Sequence, residues 1–149
     1  MKLNNNDIES FYLNIKKEIS LWAITTDGKK YIYTDQLLKF PELFRVLNTL
    51  RISHNTILRN ARLSGKINST IQYIVSDLDI LPEFFIGPKG YLDDLYILCL
   101  CFKDLLNNPD FESESLGLDI GYIDKVLDDG KNMFSLDILD QINEVYAAY

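Results

Sequence analysis

Four carboxylates carry the richest chemistry in this chain. Asp79 and Glu83 stand four residues apart, and Asp93 and Asp94 follow a short Gly87-Pro88-Lys89-Gly90 link. A reversal at that link brings both pairs to one corner, and clustered hard oxygen ligands suit a divalent cation. A second role fits the same residues. Asp93 and Asp94 fall at the start of an apolar stretch, where first-turn carboxylates offset a helix dipole and meet free N–H groups. Asp79 can cap a turn that Pro82 helps to fix. Caps are common and worth about 0.5–2 kcal/mol each, so capping is favoured over a metal, and neither metal nor cofactor is expected.

The other reactive residues lead away from catalysis. His54 is the single histidine, and no acid follows it within twenty residues. Triads and zinc hydrolases need a histidine with fixed partners. Cys99 and Cys101 are two residues apart, which on a helix is about 200° around the axis. They cannot share a metal there, and a free cysteine packs as a small hydrophobe. The Gly-Pro link lacks the spacing of a phosphate loop, and no strand precedes it. No catalytic constellation is complete, so the chain does not read as an enzyme.

The elements that must hold the corner are helical. Ile8, Phe11, Tyr12, Ile15, Ile19 and Trp22 recur every three or four residues, which predicts a helix from a cap at Asp7 to about Ile24. Thr25 to Gly28 has turn chemistry, and Tyr31-Ile32-Tyr33 is read as loop. A short turn over 35–39 precedes a helix over 41–52 with Pro41 at its first position. A third helix covers about 56–76, weakened at Gly65 by up to about 1 kcal/mol. The segment 91–107 is apolar nearly all round, as expected of a central buried helix. A polar link over 109–118 leads to two amphipathic helices, one capped by Asp119 and closed by Gly130, the other capped by Ser135. The expectation is an all-α single domain over 1–149, a bundle of five or six helices.

The corner carries a family resemblance. YIVSDLDILPE from Tyr73 to Glu83, then GPKGYLDD from Gly87 to Asp94, resembles the signature of the YkvA-like family, a small helical domain of unknown function. Ser76, Asp79, Pro82, Glu83, Gly90, Tyr91, Asp93 and Asp94 match that signature in order and spacing. LLKFPELFRVL over 37–47 is similar to the helix before it. The family usually has proline after the serine, where this chain has Asp77. The resemblance covers about 36–107 and leaves 119–149 as a C-terminal two-helix extension. It implies a structural or binding role for the corner and no established activity.

Charge bounds the partners. The 149 residues carry a net charge of −7, but residues 43–76 hold no acid and five bases, Arg45, Arg51, Arg59, Arg62 and Lys66. These either fold against the acidic C-terminal half or face an anionic partner. Five charges without interleaved aromatics do not favour nucleic acid. No signal peptide is visible at the N-terminus. The longest apolar run, Leu95 to Phe102, is eight residues, against the roughly 20 a membrane span needs. A cytoplasmic location is expected. The favoured reading is a non-enzymatic binding or regulatory module acting through protein–protein contact. Its alternatives are peripheral membrane association through the basic segment and Phe84-Phe85, and, behind that, a divalent-metal enzyme using the corner acids.

Overall fold

Ile8, Tyr12, Ile15 and Ile19 lie on one buried face, and their period winds Asn5–Ala23 into helix α1. The cap is Asn4 rather than Asp7: the Asn4 side chain accepts from the Asn6 N–H at 2.8 Å, which leaves Asp7 in the first turn. A computed structural model describes residues 4–52, 61–76, 87–108 and 117–149. Among the described residues there are seven α-helices, one 3-10 helix and no strand. The all-α class holds. Asp79, Pro82, Glu83, His54, Arg59, Phe84, Phe85 and most of the 109–118 link lie outside the described residues.

The helix count is seven because the turn residues after α1 wind one further turn, α2 at Thr26–Lys30. Thr25 caps it, its Oγ1 accepting from the Gly28 N–H at 3.1 Å. Gly28 is buried against the Trp22 carbonyl, where a Cβ has no room. Helix α3, Thr34–Ile52, runs straight through Pro41, where a turn and a fresh start were expected. An interior proline removes one hydrogen bond and crowds the carbonyl four residues back, at about 3 kcal/mol or more. Leu37, Phe40, Phe44 and Leu47 on the same helix are fully buried, and their burial offsets that cost.

Helix α4, Ala61–Val75, precedes the 3-10 helix at Gly87–Tyr91, which opens on Gly87 at φ +76. Helix α5, Leu92–Leu106, follows, and eleven of its fifteen residues are buried, which makes it the centre of the bundle. It packs against α3 and α4 on one side and, on the other, against α6 (Ile120–Met133) and α7 (Leu136–Ala147). Helix α3 in turn carries α1. Cys99 and Cys101 sit in this core as free thiols, and burial pushes the Cys101 thiol up to about 12.

Asp119 and Ser135 cap α6 and α7 as their types predict. Gly130 does not close α6. It lies buried inside the helix, under the ring of Tyr96, which itself meets Phe134 edge-on at 5.7 Å. The absent side chain is what lets α6 approach α5.

Two glycines therefore give opposite expectations. A Cβ at Gly130 would stand 2.5 Å from the Tyr96 ring, so Gly130→Ala destabilises by about 1–3 kcal/mol, less the propensity gain of about 1 kcal/mol. At exposed Gly65 nothing lies within 4 Å, so Gly65→Ala stabilises by up to about 1 kcal/mol. Urea denaturation of the two variants beside the wild type checks the sign of each.

Candidate functional site

The signature corner is built where α4, the 3-10 helix and α5 meet. Tyr73, in the last turn of the buried face of α4, donates its hydroxyl to Asp93 Oδ2 at 2.6 Å inside the core. Ser76 closes α4 locally, its Oγ donating to the Tyr73 carbonyl at 3.1 Å. Gly90 lies in the 3-10 turn. Tyr91 stands at the N-cap of α5 without a side-chain cap bond; instead its hydroxyl donates to Glu18 Oε2 on α1 at 2.8 Å. Its ring lies 5.9 Å from Phe40 of α3. Asp93 thus ties the start of α5 to α4, and Tyr91 ties it to α1 and α3.

Asp93 and Asp94 are the two most buried polar side chains of that corner, at 0% and 1% exposure. Those values place them inside the packing, not on an open rim. They occupy the first turn of α5, where unpaired N–H groups and the positive end of the helix dipole favour negative charge. Asp93 faces α4 through Tyr73. The charge of Asp94 reaches Tyr149, whose phenol is pushed up to about 12 by burial and then by that charge. Among the described residues, no group of three acids, histidines or cysteines could hold a metal ion.

The basic segment is distributed differently from a single patch. Arg45 pairs with Glu42 at 3.1 Å, and Glu42 also accepts the Tyr12 hydroxyl at 2.6 Å. Arg51 donates to Asn48 at 2.9 Å and to Asn5. Arg62 and Lys66 both reach Asp104, at 3.4 and 3.6 Å. Lys66 is buried, its ammonium 4.2 Å from the centre of the Tyr146 ring, and Tyr146 donates to the same Asp104 at 2.6 Å. The middle of the chain thus meets an acid of α5, as one of the two readings of its charge required.

One concave surface carried no sequence signal. An open cleft of about 580 Å3 runs between α3 and α6, lined by Tyr33, Gln36, Lys39, Tyr122 and Asp129 among others. Tyr122 donates to the Gln36 carbonyl at 2.5 Å, and Gln36 donates to Asp129 at 3.3 Å. Lys39 lies over the Tyr122 ring at 4.9 Å. These partners come from helices more than eighty residues apart, so no local spacing announces them; the one hint is Gln36, a polar residue on an otherwise apolar face.

Residues 67–100 match the model of a family described as protein of unknown function (DUF1232). The matched stretch runs from the middle of α4 through the corner into α5, and it supports a small helical family of unknown function. No curated protein and no solved structure matches the chain.

Two substitutions test the corner. Tyr73→Phe removes a donor from a buried carboxylate and lowers stability by about 1–3 kcal/mol, read by urea denaturation. Tyr149 tests the other acid. A phenol raised in the folded state favours its neutral form, so the stability it contributes is complete below its ordinary 10.0 and disappears as the pH climbs towards about 12. Tyr149→Phe lessens that alkaline loss by one phenol's share, leaving those of Tyr12, Tyr31, Tyr96, Tyr122 and Tyr146, which are raised as well; denaturation midpoints of the variant and the wild type across that window show the difference.

Proposed function

We propose that this protein is a non-enzymatic binding module that engages a basic protein partner through the outer face of its C-terminal extension. The observation that carries the reading is a stripe on α7. Asp137, Asp140 and Glu144 are exposed and spaced three and four apart, on the side away from buried Ile142 and Tyr146. Among the described residues, none of the three forms an ion pair, whereas Asp119, Asp124 and Asp129 of the neighbouring helix are each held by a lysine. Unmatched like charges on one exposed face steer association with a surface of opposite sign.

The resemblance to the YkvA-like family belongs to the same reading. Of its signature residues, Tyr91 and Asp93 orient α5, and selectivity for a partner lies in the two helices beyond the signature. The buried setting of Asp93 and Asp94 favours this role for the corner over substrate contact. The bases Arg45, Arg62 and Lys66, each beside an acid of the same chain, favour an acidic rather than a basic contact face.

The test is charge reversal. Asp137→Lys, Asp140→Lys and Glu144→Lys together leave the far-UV circular dichroism unchanged, since all three side chains are exposed. Proximity labelling in cells identifies the partner, and the purified partner then associates with the variant at least about tenfold more slowly than with the wild type, a difference that shrinks at high salt. Equal association rates for the two chains would place the contact elsewhere.

A further inference from the structure

Helices α3 and α6 both pack on α5, and a groove runs between them. Its charged half is the cleft of about 580 Å3 described above, where Asp35, Gln36, Lys125 and Asp129 stand in the wall. Its apolar half is a second cleft of about 330 Å3, lined by Leu38, Leu43, Val46 and Leu118, with Glu42 and Asp119 beside them. The halves meet at Lys39 and Tyr122, which line both. From Asp35 to Val46, α3 rises about 16 Å, so the groove suits a linear molecule. Both volumes lie within the roughly 300–1,000 Å3 typical of small-molecule sites.

The polar groups of the groove are mostly acceptors. Four acids stand against two lysines, and Glu42 alone among the acids is held by an arginine, Arg45. Among the described residues, Asp35 forms no ion pair. Gln36 is only 8% exposed, yet it lines the cleft. Its amide nitrogen donates to Asp129 at 3.3 Å, and among the described residues its Oε1 receives no donor. A buried amide oxygen in that position calls for a donor from outside the chain. The two lysines show which donor fits. The Lys39 ammonium lies 4.9 Å over the Tyr122 ring and 4.0 Å from Asp119, and that of Lys125 lies 3.3 Å from Asp129. Each is an alkylammonium beside a carboxylate. Their side chains are 58% and 65% exposed, so both pairs are weak and exchangeable.

We propose that this groove binds a linear aliphatic polyamine. One ammonium group donates to Asp35, Asp129 and the Gln36 Oε1. The methylene chain crosses the Tyr122 ring towards Leu38 and Leu43. A second ammonium group takes the place of Lys39 beside Asp119, where the ring face favours a cation. Once the first group is seated, the second engagement is intramolecular, which lets one molecule displace two separate lysines. An aliphatic anion fits less well, because Asp35, Asp119 and Asp129 would repel it. A metal ion fits less well too: among the described residues no group of three ligands exists, and a bare cation gains nothing from the apolar half. The groove is distinct from the signature corner and from the acidic stripe of α7.

The experiment is isothermal titration calorimetry of the full chain with spermidine. The wild type binds it saturably, at one molecule per chain. Octanoate, which keeps an aliphatic chain and reverses the charge, gives no binding heat. Asp35→Asn with Asp129→Asn weakens spermidine binding by at least about tenfold, the loss expected of charge-assisted hydrogen bonds. Asp140→Asn with Glu144→Gln removes the same charge from α7 and leaves the affinity within about twofold, since screening confines such effects. Asp35→Asn alone, at an exposed position that the fold does not need, still weakens binding by at least about threefold. Lys39→Met clears the Tyr122 ring of its resident cation and strengthens binding, whereas Lys17→Met on α1 removes an equal charge to no effect. A wild type without saturable heat overturns the proposal, as does octanoate binding in place of spermidine. Equal losses in the two double variants reduce the binding to diffuse attraction and overturn it, and so does weaker binding by Lys39→Met.

Discussion

Two carboxylates buried at the start of the central helix set the terms for the whole bundle. A buried charge is costly unless hydrogen-bonded groups and favourable dipoles surround it. Asp93 and Asp94 lie in the first turn of α5, where the helix dipole and the free backbone N–H groups favour negative charge. The Tyr73 hydroxyl adds a donor from α4. A shift of α5 by one residue would move these acids away from the helix start and put a carboxylate where buried Leu92 or Leu95 now packs, so their placement disfavours sliding or rotation of the helix.

The far end of α5 repeats the device with different groups. Asp104 gathers Arg62 and Lys66 from α4 and the Tyr146 hydroxyl from α7. A lysine that is 7% exposed is tolerable only with a carboxylate and an aromatic face beside it, and here it has both. Polar ties thus stand at both ends of the central helix, and the stretch between them, Leu95 to Phe102, is held mainly by apolar packing. The C-terminal helices belong to this scheme: Tyr146 of α7 bonds Asp104, and Tyr149, just past the end of α7, feels the charge of Asp94.

Features with a local cause were legible in the sequence. The apolar run of Leu95 to Phe102 marked the central helix, and the caps at Asp119 and Ser135 followed from residue type. Features decided by tertiary packing were not. Pro41 argues for a break, yet the burial of Phe40 and Phe44 carries α3 through it. Gly130 has the residue type of a helix terminator, and only the ring of Tyr96 reveals it as a contact point. At the corner, the spacing of Asp93 and Asp94 was visible, but the partner that meets Asp93 inside the core, Tyr73, lies twenty residues upstream on another helix. Tyr122 and Gln36 share a cleft for the same non-local reason.

The acids of α7 stand on the side of the helix away from Ile142 and Tyr146, and that separation has an evolutionary meaning. Residues that hold the fold and residues open to solvent occupy different sides of the same short helix. Substitution on the outer side leaves the inner contacts untouched, and stability effects at exposed, unpartnered positions usually stay within about 0.5 kcal/mol. Drift there can swap charge, size or polarity while the bundle survives. A scaffold of this kind can acquire and discard partners over time without ever passing through a misfolded intermediate sequence.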